Sequence, residues 1–247
     1  MSKYRKDTLN YYGVHAVTAL FERRKNSIEK VYLKKDHVAQ FSKVLKWCAD
    51  NKKPYNIVED KDLERLTDST HHEGVCFTAK PKDELLEEDF FKIISTKEKS
   101  LILFLNHVEN PHNLGAIART CAHFNIRFIL TDTTISLSPS CCRIAQGGAE
   151  SITLVRVENA EQALSKLKQM GFALFATSSH EGKPLNEIPF GKKSILVMGS
   201  ETHGINKKLM PLMDRTLSII GTGYVESLNV SQATALCCYA YFCQHGF

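Results

Sequence analysis

The chain has 247 residues, 43% of them hydrophobic and 24% charged, with a net charge of +5. This is globular composition: it excludes disorder, collagen-like repeats and coiled coil as the main character, and the length fits one large domain or two modest ones. No run reaches the roughly 18 apolar residues of a membrane helix, no apolar segment marks a signal peptide near the basic start, and the eight cysteines form no C-x-x-C pair, which points to reduced thiols in a cytoplasmic protein rather than a zinc site or a disulfide framework.

Residues 1–61 carry 14 Lys/Arg against 7 Asp/Glu, a charge that attracts a phosphate backbone. The hydrophobic spacing there predicts a helix over 14–24, a strand over 28–33 and a helix over 37–50 that places Val38, Phe41, Leu45 and Cys48 on one face. A strand over 55–58, a short helix over 61–66 and a strand over 75–78 follow. Residues 62–98 reverse the charge, with 5 basic against 10 acidic. Lys80-Pro81-Lys82-Asp83-Glu84 and Glu87-Glu88-Asp89 favour a linker or an exposed short helix, which divides the chain into 1–80, a joint over 81–98, and 99–247. Beyond the joint, apolar runs over 101–105, 127–131, 152–157, 172–176, 194–198 and 215–219 read as strands, with helices over 114–124, 160–170, 206–213 and 230–244. Strands alternating with helices mean an α/β fold with a parallel sheet covered on both faces.

In such a sheet ligands lie beyond the carboxyl ends of the strands, so the loops there carry the chemistry. The first leads into Asn113-Leu114-Gly115-Ala116-Ile117-Ala118-Arg119, where Asn113 is a natural helix cap. Leu114, Ile117, Cys121 and Phe124 form the core face, and Arg119 points away from it. Gly115 and Ala122, one turn off, leave room beside the guanidinium. The second loop, Gly199-Ser200-Glu201-Thr202-His203-Gly204, matches neither a P-loop nor a dinucleotide-binding turn. Glu201 either caps the following helix or binds a positive group. The third, Ile219-Ile220-Gly221-Thr222-Gly223 and on to Ser227-Leu228-Asn229-Val230-Ser231, precedes a terminal helix that is apolar almost all round and calls for burial, in a subunit interface or an intramolecular slot. The histidines lack metal spacing, so no metal is expected, and Cys121 reads as core rather than nucleophile.

Taken in this order and spacing, the three segments resemble the SpoU (TrmH-like) family of RNA 2′-O-ribose methyltransferases. Tyr12-Gly13-Val14-His15-Ala16-Val17 and His72-Glu73-Gly74-Val75 resemble that family's small RNA-binding domain, and His71–Phe77, 178–185 and Gly221–Gly223 its YfiF-type subgroup. The resemblance implies a small α/β RNA-binding domain followed by an α/β trefoil-knot (SPOUT) domain working as a homodimer in the cytoplasm. It implies S-adenosylmethionine as cofactor, held by Thr177, Gly199, Ile219, Leu228 and Asn229, and tRNA or rRNA as partner. Asn113, Arg119, Glu201, Ser227 and Asn229 match the family's site residues. On that reading Arg119 stabilises the developing 2′-alkoxide, Glu201 holds Arg119, and Ser227 and Asn229 orient the ribose. One departure stands out: the family's Ile-Pro opening of the third loop is Ile219-Ile220 here, which frees that backbone. An RNA-binding protein of the same fold without transfer activity is the alternative.

Overall fold

The computed structural model describes residues 8–246. The first part alternates β1 (Leu9–Tyr12), α1 (Val14–Arg24), β2 (Ile28–Leu33), α2 (Ser42–Asp50), β3 (Tyr55–Ile57), α3 (Asp60–Thr67) and β4 (Val75–Ala79). Its four strands lie in the order β1-β4-β2-β3. Only β2 and β3 run parallel; β4 is antiparallel to both β1 and β2, so the alternating pattern overstated parallel pairing here. β1 is too short to announce itself, yet it buries Tyr11 and Tyr12. The helix expected over 37–50 starts at Ser42, because Lys35–His37 forms a separate 3-10 turn.

The second part contains α4 (Glu87–Ser95), β5 (Ser100–Asn106), α5 (Pro111–His123), β6 (Phe128–Thr131), α6 (Pro139–Ile144), β7 (Thr153–Arg156), α7 (Ala160–Gln169), β8 (Ala173–Ser178), β9 (Lys183–Pro184), β10 (Lys193–Gly199), β11 (Arg215–Ser218) and α8 (Val230–His245). Seven strands form one sheet, β7-β6-β5-β10-β8-β11-β9, and every pairing in it is parallel. Side chains alternate across its plane. Ile102 and Phe104 of β5 join a core with Phe90, Phe91 and Ile94 of α4 and Leu164 and Leu167 of α7. Leu101, Leu103 and Leu105 join the opposite core with α5, α6 and α8. α4 therefore presents an apolar face to the sheet, although its first turn holds Glu87, Glu88 and Asp89, which favour a helix N-terminus. Residues 206–213 form no α-helix; Pro211, which lacks an N–H and crowds the preceding turn, leaves a short 3-10 turn at Met210–Leu212.

The second core does not stop at the seven-stranded sheet. Tyr11, Val17, Leu20 and Phe77 belong to the same buried cluster as Leu114, Cys141 and Ala149. Polar contacts stitch this seam. Arg24 Nε donates to both carboxylate oxygens of Glu150 at 2.9 Å, with side chains only 17% and 6% exposed. Lys82 Nζ donates to the carbonyls of Ala149, Glu150 and Ile152 at 3.2, 3.0 and 2.7 Å, and its burial pulls the ammonium below its usual pKa. Two glycines allow the approach: a Cβ on Gly13 (φ 89°) would fall 2.7 Å from Arg143 Cγ, and one on Gly147 (φ 88°) 2.9 Å from Ala19 Cβ. Removing one partner of a buried ion pair strands the other. Glu150→Ala is expected to cost about 3 kcal/mol, read as a lower denaturant midpoint, with Glu150→Gln milder. An unchanged midpoint for the alanine variant would mean that the seam does not hold the two parts together.

Candidate active site

The carboxyl ends of β5, β10, β8 and β11 lie side by side, with Asn106 opposite Gly199 and Ser178 opposite Ser218. The chain leaves β5 toward β6 and β7, then resumes at β8 on the far side of β10. This reversal opens a crevice at the edge, where open α/β sheets bind ligands.

The loop after β5 ends one turn earlier than the sequence suggests. Asn110, not Asn113, caps α5, accepting from His112 N at 2.9 Å, and Pro111 fills the first helical position. Asn113 lies inside the first turn, buried, and its Oδ1 accepts from Asn229 Nδ2 at 3.0 Å. The same Nδ2 donates to Glu201 Oε1. Asn229 Oδ1 meanwhile caps α8, accepting from Ser231 N at 2.9 Å and from its hydroxyl. One amide thus ties together all three motif loops and fixes the start of the terminal helix.

Glu201 is consequently bound to Asn229, and among the described residues it forms no ion pair with Arg119; the grip on Arg119 expected from the resemblance is absent. Arg119 is exposed on α5, away from the core face, as its spacing requires. The small residues beside it do not leave the open room expected. A Cβ on Gly115 would fall 2.8 Å from Cys141 O and from Ile144 Cβ, so α6 fills that gap. Gly148 closes on the Arg119 backbone and Ala122 in the same way. Arg119 therefore reaches outward from a rigidly packed base.

The remaining sequence candidates line the edge. Thr177, half-buried, donates to Val197 O at 3.1 Å. Gly199 turns the chain so tightly that a Cβ there would collide with the Gly204 backbone. Ile219 packs against the core, while Ser227 and Leu228 sit in a stretch that is exposed from Ile220 to Asn229. Cys121 is fully buried, which pushes its thiol pKa up and suits core packing. Among the described residues no group of three or more His, Cys, Asp or Glu could hold a metal ion.

Three motif loops are thus drawn to one amide at a topological switch point. A profile described as the SpoU rRNA Methylase family matches residues 100–239, and one described as RNA 2′-O ribose methyltransferase substrate binding matches 11–85. The chain belongs to the SpoU family. The uncharacterized tRNA/rRNA methyltransferase YfiF of Escherichia coli O157:H7 is 31% identical over 237 residues, covering 96% of this SpoU chain and 68% of that protein. An uncharacterized tRNA/rRNA methyltransferase of Haemophilus influenzae is 28% identical over 204 residues, 82% of this chain but 58% of its own length. The 23S rRNA (guanosine-2′-O-)-methyltransferase RlmB of Acinetobacter baylyi is 30% identical, covering 93% of this chain and 94% of its own. Among solved structures, an RNA 2′-O ribose methyltransferase superposes with a TM-score of 0.81 at 19% identity, covering 98% of this chain and 90% of that one. The SpoU methyltransferase AviRb of Streptomyces viridochromogenes, in complex with AdoMet, gives 0.77 at 18%, covering 96% and 90%. The α/β architecture of this SpoU chain is thus that of the SpoU and TrmH methyltransferases.

Sequence reasoning missed one pair at the crevice. Asn106, 1% exposed, donates to Asp132 and accepts from Asn206 N at 2.7 Å. The available signal was a polar amide closing an otherwise apolar strand. The packing of this SpoU chain around α5 generates its own test. Gly115→Ala gains about 1 kcal/mol of helix propensity but forces α5 away from α6, an overpacking that costs about 1–3 kcal/mol. A net loss of about 1 kcal/mol in chemical denaturation is expected; equal or higher stability would contradict the close packing.

Proposed function

We propose that this chain transfers a methyl group from S-adenosylmethionine to a ribose 2′-hydroxyl of tRNA or rRNA. The observation that carries the reading is the Asn229 amide bound at once to Asn113 and Glu201, which assembles the three motif loops at the crevice. Residues 1–80 serve as the RNA-binding part, 81–98 as the connection and 99–247 as the methyltransferase part, whose C-terminal segment forms the trefoil knot. The matching substrate-binding profile over 11–85 and the basic charge of 1–61 support the first assignment. A homodimer in the cytoplasm completes the reading; the exposed Leu236 and Tyr239 on α8 and Ile220, Tyr224 and Val225 beside it are apolar surface suited to a second subunit.

The residues at the edge suit the cofactor. A side chain at Gly204, Gly221 or Gly223 would meet no atom within 4 Å, and residues 220–228 make no backbone hydrogen bond among the described residues. Their N–H and C=O groups are therefore open to a ligand held through backbone contacts. Thr177, Gly199, Ile219, Leu228 and Asn229 would hold it, and it supplies a methyl group activated on a sulfonium. The rest of the work is alignment and charge. Arg119 cannot act as a base, because guanidinium stays protonated in proteins. It offers a fixed cation and a two-pronged donor to the developing alkoxide and the adjacent phosphate. Asn113, Glu201 and Asn229 keep the loops in place, and Ser227 on the exposed loop offers a hydroxyl to the ribose.

Calorimetry is expected to show one S-adenosylmethionine site per chain; no binding of it or of its demethylated product would favour an RNA-binding protein without activity. Arg119→Ala should reduce transfer ~100- to 1,000-fold while stability changes by no more than about 0.5 kcal/mol. Arg119→Lys separates charge from geometry: near-alanine rates mean that the fork is needed. Near-normal transfer by the alanine variant would remove Arg119 from the mechanism. For the RNA-binding part, Lys43→Ala combined with Lys46→Ala, two exposed lysines of α2, should weaken RNA binding and lower its salt slope by about 2, one per phosphate contact. An unchanged slope would exclude this face.

A further inference from the structure

Asn106 is the last residue of β5 and the register partner of Gly199, where the second motif loop begins. Both ends of its amide are committed. Oδ1 accepts from Asn206 N at 2.7 Å, at the far end of that loop. Nδ2 donates to Asp132 in the loop after β6, and the second Asp132 oxygen accepts from His107 N at 2.9 Å. Asn106 therefore spans three loops with an acceptor on one side and a donor on the other, a pattern an ionised carboxylate or an aliphatic side chain cannot reproduce.

The loop so held is stiff. Gly204 N returns to Ser200 O at 2.9 Å, and Gly199 lies against Gly204 with no space for a Cβ. Fixing its foot at Asn206 fixes Glu201, and Glu201 holds Asn229. We propose that Asn106, with Asp132, is a positioning residue that sets the distance between the second motif loop and the start of the first, and through it the methyl-donor site. This rests on the methyltransferase reading above. Asn106 touches none of Asn113, Arg119, Ser227 or Asn229 among the described hydrogen bonds, so its effect on them is indirect.

The test exchanges the two side chains. Asn106→Asp faces Asp132 with a second carboxylate; two acids in contact share one proton at low pH and repel when both ionise. The other charged groups near the pair are His107, whose Nε2 lies 4.0 Å from Asp132, and the exposed Lys207 and Lys208 that follow Asn206. Affinity for S-adenosylmethionine is expected to fall about tenfold at pH 8 in Asn106→Asp, a coupling typical of one buried contact, and to recover at pH 5.5, relative to wild type at each pH. The double variant Asn106→Asp/Asp132→Asn restores every donor and acceptor and should bind as wild type at both pH values. Hydrogen exchange over 199–206 should show the same pattern, loosened only in the single variant at high pH. Wild-type affinity and protection in Asn106→Asp at pH 8, or a double variant no better than the single one, would overturn the inference. A wild-type chain that binds no S-adenosylmethionine would sink the methyltransferase reading and the donor-site role with it, while exchange would still decide whether Asn106 positions the loop.

Discussion

The candidate site depends on one side chain. Asn229 satisfies one free N–H at the start of α8, that of Ser231, with its side-chain carbonyl and uses its amino group to hold Asn113 and Glu201. A terminal helix is ordinarily the last element to be fixed. Here its cap is bonded to the first turn of α5 and to the loop after β10, more than a hundred residues and nearly thirty residues earlier in the chain. The register of α8, the span of the exposed loop before it and the position of Glu201 are consequently a single geometric problem. An aspartate at 229 would keep the cap but lose both donor contacts, which is why an amide is needed there.

The second constraint is continuity of the core. Residues of α1, β1 and β4 are buried with those of α5, α6 and α8. Contacts run from Gly13 to Arg143 on α6, from Gly147 to α1, and from Gly148 to the backbone of Arg119. The basic first part is thus braced against the helix that carries Arg119. On the proposed function, RNA held by the first part reaches Arg119 at a distance fixed by packing rather than by a free tether. Deleting 1–80 would open this core, so substitutions of single lysines report on RNA binding more cleanly than truncation.

Much of this was legible in the sequence because the parallel sheet is buried on both faces. Such strands read as unbroken apolar runs, and β5 and β10 extend only one residue beyond the runs over 101–105 and 194–198 at each end. The motif residues were legible through order and spacing. What escaped was set by tertiary contact. β1 has only four residues and acquires its meaning from pairing with β4. Asn113 looked like a cap because capping chemistry is local, whereas its partner Asn229 is remote. Gly115 suggested open space because the sequence does not show that α6 packs into it. Asn106 fell just outside the apolar run over 101–105, and nothing local reveals that Asp132 and Asn206 converge on it.

The most direct test of the account is incubation of the purified chain with total tRNA and rRNA and S-adenosylmethionine carrying a labelled methyl group, followed by mapping of alkali-resistant, 2′-O-methylated positions. The account predicts label at a ribose of a defined RNA, dependent on the chain. Label on a base, on protein, or on no acceptor while S-adenosylmethionine remains bound would contradict ribose methylation as its activity.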